Sequence, residues 1–420
     1  MYIFVSCMRK LLLLVGLCLI NICAYSQSEA ALTSLFLKAV ENYTQSEYEE
    51  AKEKLVILYN ADSQDDAVNY YLGMCEYALG DRERAETLLS AAAQLDSTNV
   101  WYQSALASLY NAKGDNMAFA AVSERLIKLN PAQFKTPYVL CAIADTKLSM
   151  RQDSLALAYY SEALEMDPSY PPGQLGKVEI LRMQRNYTPF FLNLTEFIDN
   201  PLVRPELKSD YLKAVLENMD ATLYYGFKKQ LEQVIELDIR NHPEDAVAHS
   251  LRMNLYYLEE DYEAALEHSL EMAKAAIASD NTDMLLEAYQ IAGDLHHELG
   301  NKKACYSYYK KILEIDPDYA SALNNYAYFL CEEGKSLRKA LKMSARAVEL
   351  EPDNATYLDT HGWILYLLGK AKEAKPYFKH AMIYGGKDSA VVLEHYSIVL
   401  EALGETELAK YYKLLSEQKK

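Results

Sequence analysis

A chain of 420 residues exceeds the usual size of one compact core, so it holds several domains or an array that grows by repetition. Apolar residues at 50 % are too many for a disordered chain, and 15 Gly and 12 Pro are few enough for long helices joined by short turns. With 42 Lys and Arg against 60 Asp and Glu, a formal net charge of −18, the chain is repelled by phosphate backbones and anionic headgroups, which argues against nucleic acid as a partner.

Residues 1–26 stand apart from the rest. Arg9 and Lys10 precede an apolar run from Leu11 to Ile20, and Ala24-Tyr25-Ser26 offers small residues at cleavage spacing before Gln27. A positive end, a short apolar stretch and a small-residue site read as a secretory signal. The run is shorter than the ~20 residues a membrane span needs, although an uncleaved anchor is the competing reading. Met8 offers an alternative start. Cys18 and Cys23 invite a lipoprotein signal, but Leu17 and Ile22 precede them where a small residue is wanted. Cys7 also falls in this leader, and the other four cysteines, Cys75, Cys141, Cys305 and Cys331, are far apart. With no C-x-x-C among them, neither a zinc site nor a disulfide framework is indicated, and each falls at an inner helix position as a small apolar residue.

Beyond the leader a spacing recurs. Gly73, Leu79-Gly80-Asp81, Ala85 and Leu95-Asp96 are echoed by Gly293, Gly300, Tyr309 and Ile315-Asp316-Pro317, and again by Gly362, Gly369, Ala374, Phe378 and Ala381. These residues resemble the tetratricopeptide repeat (TPR), a helical hairpin of about 34 residues with small residues near positions 8, 20 and 27, a turn Gly near 15 and Pro near 32. In that phase the first unit is 32–65 (Ala39, Ala51) and the second 66–99 (Gly73, Ala85, Ala92). The third, from 100, keeps Ala107, Gly114 and Pro131 but has Phe119 at a small position. The fourth, 137–170, returns with Ala144, Ala156 and Ala163. Residues 171–201 keep the hairpin rhythm but lose the small residues, and 202–245 are looser, with helical patterns near 206–219 and 222–240. The pattern recovers at 246–279 and is strongest in 286–319, 320–354, 355–388 and 390–416.

The expected fold is an all-α, right-handed α-solenoid of about ten or eleven hairpins, because one hairpin cannot bury its apolar face alone and must stack on neighbours. The expected organisation is a signal peptide (1–26), an N-terminal block (27–170), a degenerate middle (171–245) and a C-terminal block with a capping helix (246–420).

Motifs for chemistry are weak. Gly362, Gly369 and Lys370 miss the phosphate-loop spacing, and the glycines are explained by the repeat. His296 and His297 are adjacent on a helix and point about 100° apart, so they do not readily share one metal ion. No G-x-S-x-G elbow or Cys–His context occurs, so no cofactor, metal or catalytic set is expected.

The resemblance implies a different kind of site. TPR proteins bind an extended peptide or helix along the faces of their first (A) helices, at positions near 2, 5, 9, 12 and 13. Here those positions include Tyr70, Met74 and Tyr77; Glu287, Gln290, Asp294 and His297; Asn324 and Tyr328; Asp359, Trp363 and Tyr366; and Glu394. The family's carboxylate clamp uses Lys, Arg and Asn in this zone. Glu287, Asp294 and Asp359 stand there instead, so an anionic peptide terminus is repelled and a neutral or basic peptide or helix is expected. The sequence therefore reads as a non-enzymatic, exported protein-binding scaffold, periplasmic or outer-membrane-associated in a bacterium, with a possible place in an envelope complex. A glycan- or peptidoglycan-binding module, with Trp363 beside Asp359 as its platform, is the alternative; an enzyme with a site in the middle segment ranks last.

Overall fold

A computed structural model describes residues 29–420, so the leader with its export, lipidation and anchor readings lies outside the described residues. Among the described residues there is no β-strand; the chain is a succession of helices. It divides into two compact units at Leu202/Val203, inside the segment whose repeat pattern is weakest.

In the first unit α1 (29–44) pairs with α2 (Tyr48–Ala61), α3 (Asp66–Ala78) with α4 (Arg82–Leu95), and α5 (Val100–Lys113) with α6 (Asn116–Leu129). A one-turn helix, α7 (Pro131–Phe134), follows, so Pro131 opens a short turn of helix after ending α6. Then α8 (Pro137–Ser149) pairs with α9 (Asp153–Met166), and α10 (Pro171–Met183) with α11 (Tyr187–Asp199).

The second unit opens with α12 (Pro205–Glu217) and the long α13 (Ala221–Asn241), whose helical geometry breaks at Phe227 (φ −125°, ψ 16°). The remaining pairs are α14 (Ala246–Leu258) with α15 (Tyr262–Ala278), α16 (Thr282–Glu298) with α17 (Lys302–Ile315), α18 (Ala320–Glu332) with α19 (Leu337–Leu350), α20 (Ala355–Leu367) with α21 (Ala371–Ile383), and α22 (Ala390–Ala402) with α23 (Thr406–Lys419). The all-helical hairpin stack expected from the sequence is what each unit shows.

The repeat residues act where the sequence places them. A Cβ added to Gly73 would lie 2.9 Å from Leu89, one on Gly293 3.2 Å from Tyr309, and one on Gly362 2.8 Å from Phe378. Each glycine thus lets the ring or branched chain of the facing helix sit against bare backbone. Gly costs about 1 kcal/mol relative to Ala inside a helix, and this close approach offsets it. A second device accompanies it: the Tyr309 hydroxyl donates to Asp294, and the Tyr160 hydroxyl donates to Asp145, tying the two helices of a hairpin together. Ala39, Ala51, Ala85, Ala156 and Ala374 are wholly buried, and Cys75, Cys141, Cys305 and Cys331 are buried free thiols.

Turn chemistry is equally regular. A left-handed residue closes the first helix of nearly every hairpin, as Gly80, Gly114, Gly300, Gly334, Gly369 or Gly404, or as Ser46, Arg151, Arg185 or Glu260. The hairpin α12–α13 lacks one: its first helix ends at Asn218 with φ −99°. Many carboxylates and carboxamides are committed to caps. Asp65, Asp81, Asp115, Asp220, Asp245, Asp261, Asn281 and Asn354 each accept backbone N–H groups at a helix start.

The middle segment also differs from expectation in its packing. Its small residues are displaced rather than lost: Gly176 of α10 faces back to α9, where an added Cβ would lie 2.3 Å from the Tyr160 ring. Large Phe side chains then fill the α10–α11 hairpin, with Phe190, Phe191 and Phe197 all buried.

Candidate functional site

The A-helix positions of the second unit form a chain of contacts from helix to helix. Gln290 on α16 accepts a hydrogen bond from Ser321 Oγ on α18 at 2.6 Å. His297 stacks on Phe329 with centroids 3.8 Å apart, and its Nε2 lies 3.4 Å from Glu332. Tyr328 donates to Glu332 at 2.8 Å, and burial, with that carboxylate beside it, pushes its hydroxyl up to about 12. On α20, Asp359 meets His395 Nδ1 of α22 at 3.0 Å. Trp363 lies flat on His395 (4.0 Å, 10°) and against Tyr366 (5.0 Å, 24°). Glu394 pairs with Lys420 Nζ at 2.6 Å, which holds its carboxyl below the usual range.

This network changes what the acidic positions offer. Asp359 is only 7 % exposed and turned to His395. Asp294 takes the Tyr309 hydroxyl, and burial raises its carboxyl above the ordinary range. Of the three carboxylates expected to face a partner, Glu287 is the exposed one. Asn324, expected on the partner-binding A-helix face, is instead buried at 2 % exposure, with its Nδ2 donating to Asn325 of its own helix at 3.2 Å. Trp363 is half-buried, packed against the core clusters around Tyr326 and Phe378 as well as on His395 and Tyr366. His296 and His297 part company: His296 stacks on Tyr308 within its hairpin, while His297 crosses to α18.

In the first unit Tyr70, Met74 and Tyr77 are half-buried against the cluster that contains Tyr102 and Leu106, with the Tyr70 and Tyr102 rings 4.9 Å apart. The residue that reasoning from sequence missed is Trp101, at the second position of α5 and 73 % exposed. On α8 the corresponding Tyr138 is 51 % exposed and donates to Asn111 of α5 at 2.9 Å. The same positional rule identifies both, once the third unit is given equal weight despite Phe119.

The middle segment holds a buried ionisable group that sequence did not single out. Asp238 of α13 is 0 % exposed, and neither carboxylate oxygen has a hydrogen-bond partner. Burial first, then the nearby Asp245 carboxylate, push it up to about 7, with the Lys208 charge opposing. Lys208, 1 % exposed, lies 3.2 Å from His242. A sealed carboxyl cannot touch a substrate, so this cluster is no active site as it stands. Among the described residues no group of three His, Cys, Asp or Glu is placed to hold a metal, and no helix is long and apolar enough to cross a membrane.

Comparison with known proteins is consistent with the repeat reading. The tetratricopeptide-repeat family matches residues 137–170 and 286–319, which are the limits of two units read from the sequence, and also 308–341. Residues 137–170 and 286–319 thus match the repeat in the phase read from the sequence, while 308–341 overlaps the second of them and runs from α17 through α18 into α19. No curated protein matches the chain. Among solved structures, Naa15/Naa10 bound to HypK-THB is 12 % identical, covering 91 % of this chain and 75 % of that one, at a TM-score of 0.38. Yeast Tom70 is 12 % identical, with 93 % and 92 % covered, at 0.38. A mutant of MamA is 17 % identical over 40 % of this chain and 99 % of its own, at 0.31.

Proposed function

We propose that this protein is a non-enzymatic scaffold whose A-helix faces hold a segment of another protein. The observation that carries the reading is Trp101, a large aromatic left 73 % exposed at a position the repeat turns outward. Trp is enriched among the residues that dominate binding energy, and an exposed one contributes little to the fold that carries it. Tyr366 and Trp363 supply a second aromatic surface on α20, with Glu287 as open negative charge on α16. A partner with apolar side chains and neutral or positive charge fits both surfaces. A glycan is favoured less, since Asp359 is occupied by His395 and Trp363 is stacked on both His395 and Tyr366.

The Arg9-Lys10 start, the Leu11–Ile20 run and Ala24-Tyr25-Ser26 support export to a bacterial periplasm or outer membrane, where the scaffold would serve an envelope complex. Sequencing the N-terminus of the protein from fractionated cells tests this part. A mature chain starting at Gln27 in the periplasmic fraction is expected; an intact leader in the cytosol refutes it. For binding, the protein and its Trp101→Ala and Tyr366→Ala variants are compared for co-purifying proteins from native cells. A specific partner reduced at least about fivefold by one of the variants, with unchanged melting, supports the reading. Identical co-purification from all three proteins opposes it.

A further inference from the structure

The second unit contains a cleft of ≈ 520 Å³ where the end of α12 and the start of α13 stand beside α14 and α16. The irregular hairpin makes this wall. Without a left-handed turn residue, its chain passes from Glu217 through Met219 and Asp220 into α13 along the cleft. Leu216 and Met219 face it from one side, Leu258 and Ile291 from the other. Two of its large side chains are unusually open: Leu258 is 66 % and Tyr225 74 % exposed. The Tyr224 hydroxyl, also at the cleft, is cut off from solvent without a hydrogen-bond partner.

Charge around the cleft is one-sided. Glu217, Asp220 and Glu287 border it against a single cation, Lys213. Asp220 is partly committed, since it caps α13 through Leu223 N–H at 2.8 Å. Glu217 and Glu287 are exposed.

We propose that this cleft anchors a cationic amphipathic segment of a partner protein, with one or two large aliphatic side chains inside and a Lys or Arg facing Glu217 and Glu287. The proposal rests on the scaffold reading and gives it a place and a chemistry. Apolar lining selects the aliphatic side chains, and the acidic border selects the cation. A second copy of this chain is a poor occupant, because at a net charge of −18 it brings acid to acid.

The test uses the chain without its leader and two fluorescent 14-residue helical peptides, one with a Leu face and a Lys face, the other with Glu in place of every Lys. Because an acidic protein attracts any cationic peptide, the variants decide. Leu258→Asp and Glu287→Lys are both at exposed positions, and melting confirms their fold. Glu407→Lys on α23 makes the same change in net charge elsewhere. The expected result is at least tenfold tighter binding of the Leu/Lys peptide, weakened about tenfold by Leu258→Asp and by Glu287→Lys but not by Glu407→Lys or Tyr366→Ala. Binding lost on Tyr366→Ala and indifferent to Leu258→Asp overturns the cleft while leaving the scaffold reading intact. Equal binding of the two peptides, equal effects of Glu287→Lys and Glu407→Lys, or no binding of either peptide also overturns the cleft assignment.

Discussion

Gly362 gives a quantitative test of how the hairpins are held. An added Cβ there would lie 2.8 Å from Phe378 Cε2 and 3.1 Å from Cδ2. Phe378 has no room to retreat: it is 0 % exposed, and its ring lies parallel to Tyr396 at 5.6 Å. Replacing Gly by Ala inside a helix stabilises it by about 1 kcal/mol in the absence of contacts. Overpacking a closed core costs roughly 1–3 kcal/mol. Gly362→Ala should therefore be net neutral to destabilising by up to about 2 kcal/mol, and Gly362→Leu destabilising by at least the upper part of the overpacking range. Gly226 in α13 is the internal control, since nothing lies within 4 Å of its added Cβ. Gly226→Ala, beside the break at Phe227, should be neutral or stabilise α13 by up to about 1 kcal/mol. Denaturant midpoints, read by circular dichroism at unchanged transition slope, separate the two. If both alanine variants shift the midpoint upward equally, close approach at Gly362 is not what holds α20 on α21.

Other consequences follow from the same structure. Asp238 retains in the native state, up to pH about 7, a proton that an unfolded carboxylate loses near 3.8. Its contribution therefore makes stability fall as pH rises through that window, and the cost is complete above it. At about 1.4 kcal/mol per pH unit the ceiling is on the order of 4 kcal/mol, and Lys208, Asp245 and His242 are the charged or titratable groups beside it. Asp238→Asn should match the native protein near pH 4 and melt higher than it at pH 8; parallel melting curves at all pH values would remove Asp238 as the source. Arg185 and Glu260 hold φ of 56° and 60°, where a side chain is strained, so Arg185→Gly and Glu260→Gly should each stabilise by up to about 1 kcal/mol. Lower midpoints for both would mean that their side chains contribute more than the backbone strain costs. Trp101→Ala should leave melting within about 0.5 kcal/mol of the native protein, as expected for an exposed side chain; a larger loss would assign Trp101 to packing.

Most of the fold was legible because the repeat writes its packing into single residues. Gly73, Gly293 and Gly362 mark helix pairs directly, since an added Cβ would come within 3 Å of Leu89 and Phe378 and press on Tyr309 at 3.2 Å. Even the loosest stretch, 202–245, showed its two helices, although not the break at Phe227, because amphipathic spacing survives where turn chemistry does not. The site was less legible. A position rule tells which way a residue points from its own helix but not how closely the next helix covers it. That is why Asn324 and Asp359 proved buried while Trp101 proved open. Asp238 left no mark in the sequence, because a lone carboxylate on an amphipathic helix looks the same buried or solvated. The cleft beside α14 escaped notice because the repeat does not set the register of α12 and α13.

The central claim is that an aromatic A-helix face, and not the surface in general, holds a protein partner. A photo-crosslinking residue at Tyr366 in native cells tests it most directly, with exposed Lys413 on α23 as the control position. A distinct protein adduct from Tyr366 alone is the predicted result. No protein adduct from Tyr366, or equal labelling from both positions, would contradict it.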